Sequence, residues 1–108
     1  MTECREMPAR DVEGYLVEPD TWSEEIARCL GDEMGIELGD DHWDVIRFMR
    51  EFYAEHRVPA DARFVIRHLD SRYPRQGRQR LFELFPYGYV GQACKVAGMK
   101  RPRGWSTG

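Results

Sequence analysis

Residues 81–98 read LFELFPYGYVGQACKVAG. This stretch predicts a short apolar helix that ends at Pro86, a glycine-containing turn, and a second short helix that Gly98 stops. Proline disfavours helical geometry at the residue before it, and glycine supplies the left-handed residue that closes many helices. The pattern therefore places Cys94 on a terminal helix.

Residues 99–108 are predicted to form a flexible C-terminal arm, because Pro102 and Gly104 prevent regular structure. The arm contains no acid, and its basic residues are Lys100, Arg101 and Arg103. Such an arm can move into a partner while the body of the protein stays fixed.

The 108 residues suffice for a single domain, with 42% hydrophobic and 32% charged residues, which is typical of a globular protein. No apolar run approaches the roughly 20 residues of a membrane span. The first residues lack the basic and apolar regions of a signal peptide. We therefore expect a cytoplasmic location without membrane contact, and reduced thiols at Cys4, Cys29 and Cys94.

The net charge of −3 conceals an asymmetry. Residues 1–41 contain thirteen acids and three bases, a net charge of −10, whereas residues 42–108 carry a net charge of +7. The asymmetry can orient the protein toward an acidic partner or a nucleic acid. Alternatively, the two halves fold together and neutralise each other.

Strand-forming residues at positions 11–18 predict a short strand or half of a small hairpin. Apolar residues at steps of three and four then predict an amphipathic helix from Trp22 to about Gly35, followed by a central helix that begins at Asp40. This helix must end before Pro59, and a further helix capped by Asp61 follows. Residues 74–80 predict a basic loop that can adopt a hairpin-like shape.

The two helices around Pro59 predict a helix-turn-helix-like pair. Arg63 and Arg67 lie one turn apart on its second helix, where contacts with a DNA groove would occur. DNA binding is therefore one hypothesis, and a solvated basic face is the simpler interpretation.

The carboxyl end contains three motifs, namely Leu84-Phe85-Pro86-x-Gly88, Gln92-Ala93-Cys94-Lys95-x-Ala97-Gly98 and Arg101-Pro102-x-Gly104. They resemble the DsrC/TusE family, which comprises the gamma subunit of dissimilatory sulfite reductase and sulfur-relay proteins of tRNA thiolation. The stretch His42-Trp43-x-Val45-Ile46-x-Phe48-Met49-Arg50-x-Phe52-Tyr53 also matches the family pattern.

The resemblance implies a predominantly helical α+β fold: a small N-terminal β-meander or hairpin packed on about five helices, including the helix-turn-helix-like pair. It also implies a single domain over residues 1–108, with a loose N-terminus at residues 1–10 and the arm at residues 99–108.

In the family, a near-terminal cysteine carries the sulfur, and Cys94 matches a second cysteine eleven positions upstream. Trp105 stands at the carrier position here. The resemblance therefore implies an accessory or regulatory protein that binds sulfur-pathway partners and is not a stand-alone catalyst. The alternatives are a single-cysteine sulfur carrier that uses Cys94 and a helix-turn-helix DNA-binding regulator.

Cys94 is the candidate sulfur-handling thiol, and its alternative role is packing between two short helices. Because cations and helix N-termini lower the pKa of a thiol, we expect Lys95 and the nearby helix start to activate it. The candidate partner-binding residues are Arg63, Lys95, Lys100, Arg101, Arg103 and Trp105. The three histidines lack metal-ligand spacing, and the sequence contains no phosphate-binding loop, so neither a metal nor a cofactor is predicted.

Overall fold

The computed structural model describes residues 8–100, apart from the side chain of Val90. After a 3-10 turn at Pro19–Thr21, the helices are α1 (Glu24–Glu33), α2 (Asp40–His56), α3 (Ala62–Arg72), α4 (Gly77–Leu84) and α5 (Cys94–Val96), with a π turn at Tyr89–Ala93 directly before α5. The predicted predominantly helical fold is confirmed.

Local signals in the sequence set the helix boundaries. The Ser23 hydroxyl accepts a hydrogen bond from the Ile26 N–H at 3.3 Å and caps α1. Asp61 caps α3 in the same way by accepting from the Arg63 N–H at 2.9 Å. Beyond α1, Gly35 has a φ of 72°, a conformation that favours glycine.

The predicted N-terminal β-meander or hairpin is wrong, because residues 8–100 contain one isolated antiparallel bridge, between Arg10 and Leu16, and no strand. The carboxylate of Asp11 accepts hydrogen bonds from the backbone N–H groups of Glu13 and Tyr15. These bonds close a tight loop and compete with the ladder that a hairpin would need.

The predicted loop at residues 74–80 is shorter than expected, because α4 already begins at Gly77. The Gly77 N–H donates to the Asp70 carboxylate at 2.7 Å, which satisfies one of the free donors at the helix start. A Cβ atom at this position would lie 2.3 Å from the Ile66 carbonyl oxygen, so α3 and α4 pack closely here.

Helix α2 lies at the centre of the core, and its residues Val45, Ile46 and Met49 are fully buried. Leu30 of α1, Leu69 of α3 and the C-terminal segment pack around it. The core therefore joins the helices to the segment that carries Cys94.

Charged side chains join the start of α2 to α3 and α4. Asp41 accepts hydrogen bonds from the Tyr73 hydroxyl and from Arg80, while Arg72 lies 3.0 Å from Asp44. His68 contacts Asp44 at 2.8 Å. We call this group the Asp41 cluster: Asp41, Asp44, His68, Arg72, Tyr73 and Arg80. The Asp41 pairs link the acidic first part of the chain to the basic second part, whereas the Asp44 pairs lie within the second part.

Candidate functional site

Cys94 lies at the junction of the π turn and α5, and its side chain is fully buried. Gly88, with a φ of 112°, lets the chain enter the π turn directly after the Pro86 turn. Burial raises the pKa of the Cys94 thiol to about 12, and the neighbouring Tyr89 hydroxyl offsets only part of this effect. In this conformation the sulfur is a protonated thiol that solvent does not reach.

The Tyr89 side chain shares this buried environment. Its hydroxyl donates a hydrogen bond to the carbonyl oxygen of Ala60, in the connection between α2 and α3. Burial and the neighbouring Cys94 raise the pKa of the phenol above its usual range. Phenol and thiol therefore both remain neutral at physiological pH.

The prediction that Lys95 activates Cys94 is wrong. The Lys95 ammonium lies 5.1 Å from the centre of the Tyr15 ring, and a Cβ atom at Gly14 would meet the same group at 3.4 Å. Residues adjacent in a helix point about 100° apart, so the charge faces the N-terminal loop while the thiol faces the core. Desolvation therefore decides the protonation state of Cys94.

Two side chains hold the end of α5 through its backbone carbonyls. The Trp22 indole N–H donates to the Val96 carbonyl at 2.8 Å. Arg50 of α2 donates to the carbonyls of Ala97 and Pro19, both at 3.1 Å, and its guanidinium stacks 4.6 Å from the centre of the Trp22 ring. We call Trp22 and Arg50 the carbonyl clasp.

Gly98 is the point at which the chain leaves the clasp. It has a φ of 75°, and a Cβ atom there would lie 2.5 Å from Cδ1 of Trp22. The Met99 N–H then donates to the Cys94 carbonyl at 2.8 Å, and the Met99 side chain is fully buried. The clasp, Gly98 and Met99 together close the core over Cys94.

The three predicted partner-binding residues that the structure describes lie at separate places. Arg63 is exposed on α3 and pairs with Asp61 at 2.9 Å, Lys95 contacts Tyr15, and Lys100 lines a surface groove beside α2. The remaining candidates, Arg101, Arg103 and Trp105, lie outside the described residues, as does the arm beyond Lys100.

The helix-turn-helix interpretation is not supported. Helices α2 and α3 are consecutive and joined by five residues, but several arginines of the basic run are engaged within the protein. Arg63 pairs with Asp61, while Arg72 and Arg80 belong to the Asp41 cluster. Arg72 and Arg80 therefore contribute to contacts between helices and are not part of a free cationic surface for DNA.

Cys29 is 2% exposed in α1, as expected for a residue on the apolar face, and it is disulfide-bonded. The expectation of reduced thiols is therefore wrong for Cys29. Cys94 is the free cysteine among residues 8–100.

Within the same residues, no group of three histidine, cysteine, aspartate or glutamate side chains is placed to hold a metal ion. No helix in the described part of the chain combines the length and the apolar character that crossing a membrane requires.

Sequence reasoning missed the contacts that hold the segment around Cys94, which are made by Trp22, Arg50, Ala60 and Tyr89. One signal was present, because Arg50 stands on the apolar line of α2 between Ile46 and Tyr53. A cation at such a position needs a hydrogen-bonding partner in the interior. The hydroxyl contact of Tyr89 has no comparable signal, since it depends on the π turn.

A buried thiol on a terminal helix turn, packed on the four helices α1 to α4, defines a class of small helical thiol proteins. The family model described as "DsrC like protein" matches residues 5–105, and this chain belongs to that family. The family expected from the C-terminal motifs is thereby confirmed.

Known relatives agree with this assignment. "Sulfurtransferase TusE" of Pectobacterium atrosepticum is 38% identical over 96 residues, which are 87% of this chain and 88% of the relative. The oxidized gamma subunit of the dissimilatory sulfite reductase (DsrC) from Archaeoglobus fulgidus matches with a TM-score of 0.82 and 30% identity, over 92% of each chain. The solution structure of Allochromatium vinosum DsrC also gives a TM-score of 0.82, at 31% identity, and covers 98% of this chain and 96% of that one.

Proposed function

We propose that the protein is an accessory or regulatory member of the DsrC/TusE family that binds sulfur-pathway proteins and does not itself carry sulfur. The relatives are named as a sulfurtransferase and as a sulfite reductase subunit, which indicates partners of these two kinds. The cytoplasmic location expected from the sequence stays a prediction.

The burial of Cys94 is the observation that carries this proposal. A sulfur carrier must present a thiolate to the outer sulfur of a donor persulfide, so that a new S–S bond forms while the donor thiolate leaves. Cys94 is fully buried and its pKa is raised to about 12, so it presents neither the charge nor the access that this step needs. Trp105, at the position of the family's carrier cysteine, has no thiol to offer instead.

One observation favours the second candidate, a single-cysteine carrier. Cys94 is the free cysteine of the described residues, and the Tyr89 hydroxyl lies close enough to affect the pKa of its thiol. If a partner opened the segment around the carbonyl clasp, Cys94 could accept one sulfur atom and pass it on.

Sulfur uptake separates the two candidates. The native protein, Cys94→Ala and Trp105→Cys are incubated with inorganic polysulfide, and the peptides that contain residues 94 and 105 are weighed by mass spectrometry. We expect no added sulfur on Cys94 of the native protein and one added sulfur atom at position 105 of Trp105→Cys. Stoichiometric sulfur on Cys94, delivered to an acceptor protein by the native chain and not by Cys94→Ala, would establish the carrier function.

Partner binding needs its own measurement. Tagged native protein and tagged Cys94→Ala are used to capture proteins from the cells that produce the chain, and the captured proteins are identified by mass spectrometry. We expect both to retain the same sulfite reductase or sulfur-relay protein, since binding does not require the thiol. Capture of neither kind of protein contradicts the proposal.

A further inference from the structure

A surface groove lies between the segment before α1 and the carboxyl end of α2. Its volume is about 330 Å³, and its lining residues are Val17, Pro19, Tyr53, Arg57, Pro59 and Lys100. None of these positions belongs to the Asp41 cluster or the carbonyl clasp. The groove is therefore a surface to which neither of these two groups gives a role.

The charge of the groove is positive. Arg57 and Lys100 are exposed, and neither forms an ion pair among residues 8–100, although several other arginines do. No aspartate or glutamate lines the groove. The sequence extends this character, because the last acid of the chain is Glu83, and Arg101 and Arg103 follow Lys100 directly. An anionic group is the complementary ligand.

The groove has an apolar floor between its cationic edges. Val17, Pro19 and Pro59 contribute hydrocarbon surface, and the side chain of Val17 remains 37% exposed. Phosphate groups gain little from such a floor. A protein segment that carries acidic side chains around an apolar one matches both features, with its carboxylates on the cations and its apolar side chain on the prolines.

The groove also adjoins the layer that buries Cys94. Pro59 precedes Ala60, whose carbonyl accepts the Tyr89 hydroxyl, and Lys100 follows Met99, whose N–H bonds to the Cys94 carbonyl. An occupant would thus lie one residue away from two of the contacts that close the core over the thiol.

We propose that this groove is the docking site for an acidic segment of a partner protein, with carboxylates paired to Arg57 and Lys100. The inference rests on the proposed function, and it describes the chemical character of the partner protein that this function requires. A partner seated here would contact the start of the C-terminal arm and leave the Asp41 cluster free.

The probe is a synthetic pentapeptide of four glutamates around a central leucine, titrated into the full-length ¹⁵N-labelled protein. We expect amide shifts at Val17, Tyr53, Arg57 and Lys100, and a weakening of binding as salt is raised. A peptide with lysines in place of the glutamates is expected to cause no shifts. Shifts spread evenly over all basic surfaces, or none at the groove, would overturn the proposal.

Matched variants assign the effect to the groove. Arg57 and Arg75 both have left-handed backbone conformations, with φ values of 60° and 66°, and asparagine tolerates this conformation. Arg57→Asn is expected to weaken peptide binding two- to fivefold, the effect of one exposed ion pair. Arg75→Asn, which removes the same charge outside the groove, is expected to leave binding unchanged. Equal weakening by both variants contradicts the assignment.

Two further arms complete the test. Lys100→Gln is expected to act like Arg57→Asn, and Lys95→Gln is its control, because Lys95 contacts Tyr15 instead. A single-stranded oligouridine is titrated in parallel; if it binds more tightly than the peptide and depends on Arg57, the partner is a nucleic acid and the proposal is wrong.

Failure of the groove is distinguishable from failure of the proposed function. The Arg57→Asn, Lys100→Gln double variant retains Cys94, so its sulfur uptake tests the thiol separately. If this variant still captures the same sulfur-pathway protein as the native chain, the function stands and the docking site lies elsewhere.

Discussion

Helix α2 is held at two places by different kinds of contact. At its start, the Asp41 cluster joins it to α3 and α4 through side chains that carry opposite charges. At its middle, Arg50 of the carbonyl clasp binds backbone carbonyls and an indole ring. The first region depends on ionised carboxylates, whereas the second surrounds groups that stay neutral. The two regions should therefore respond to different mutations and to opposite ends of the pH scale.

The largest effect is expected at Gly98, beneath the clasp. In Gly98→Ala the new methyl group would collide with Trp22 and occupy a left-handed conformation. Strain and overpacking together should lower the free energy of unfolding by about 4 kcal/mol. Urea denaturation measures the change, and alkylation of Cys94 in the native protein should become faster.

Gly35→Ala is the matched control for this substitution. Gly35 has a φ of 72°, close to that of Gly98, but a Cβ atom there would meet nothing within 4 Å. Gly35→Ala should therefore lower the free energy of unfolding only by the strain of the left-handed backbone, about 1–2 kcal/mol. Equal costs for the two variants would show that Trp22 moves aside without penalty and that the clasp is loose.

The Asp41 cluster is tested by Asp41→Asn, which should lower the free energy of unfolding by about 2 kcal/mol at pH 7 because it weakens charge-assisted hydrogen bonds. Burial raises the pKa of Asp41, but hydrogen bonds from Tyr73 and Arg80 outweigh it and hold this pKa below 3.8. The folded carboxylate thus binds fewer protons than the unfolded one. Its contribution is present above pH 3.8 and is lost as the pH falls through the lower folded value.

The difference in the free energy of unfolding between the native protein and Asp41→Asn should therefore become smaller at acid pH, as urea denaturation at several pH values would show. Asp40→Asn is the control, since this neighbouring carboxylate is exposed and its loss should cost about 0.5 kcal/mol through the helix dipole. A gap that stays constant from neutral to acid pH would contradict the role given to Asp41.

Trp22→Phe should lower the free energy of unfolding by about 1.5 kcal/mol, because the Val96 carbonyl loses its indole donor. Trp43→Phe is a matched control: the Trp43 indole makes no hydrogen bond among residues 8–100 and stacks under Arg28 at 5.2 Å. Cys94 of the folded protein should be alkylated faster in Trp22→Phe than in Trp43→Phe. The extent of alkylation is measured by mass spectrometry of the peptide that contains residue 94. Identical rates would mean that the clasp does not control access to the thiol.

The smallest effect concerns alkaline pH. The Cys94 thiol has a reference pKa of 9.0 and a folded pKa of about 12, so the folded state binds more protons between these values. Stability is therefore lost as the pH rises above 9, by about 1 kcal/mol at pH 10.

Cys94→Ala should lose less stability than the native protein between pH 8 and pH 10, although Tyr89 contributes a similar loss at higher pH. The disulfide-bonded Cys29 does not titrate in the folded protein, so it does not obscure the comparison. If the free energy of unfolding depends on pH in the same way in Cys94→Ala and in the native protein, the folded thiol is more accessible than its burial indicates.

Much of the helical part of the fold could be predicted from the sequence, because each long helix has an apolar face and a local boundary signal. Asp61 and Pro59 act within a few residues of themselves, and their effects are therefore readable from the sequence. The start of α1 was predicted less well, because the helix begins at Glu24 after the Ser23 cap and not at Trp22. The predicted hairpin failed because the Asp11 side chain captures backbone donors that a strand ladder would use.

The candidate site was less predictable, because its properties depend on contacts between distant residues. Cys94 could be selected from its motif, but its protonation state follows from burial in a core that includes Tyr89 and Met99, neither of which is adjacent to it in the chain. The sequence neighbour Lys95 indicated a lower pKa, and the structure turns this side chain away. Proximity along the chain was therefore the wrong guide to the electrostatics of the thiol.

The π turn at Tyr89–Ala93 has a consequence for how side chains are paired along this helix. The Cys94 N–H bonds to the Tyr89 carbonyl, five residues earlier, where a regular helix would close after four. In a regular α-helix, residues five apart point about 140° away from each other. The wider turn instead places Tyr89 and Cys94 on the same side. If the same residues closed as a regular α-helix, the thiol would rotate away from the phenol and out of the core without any change of side chain.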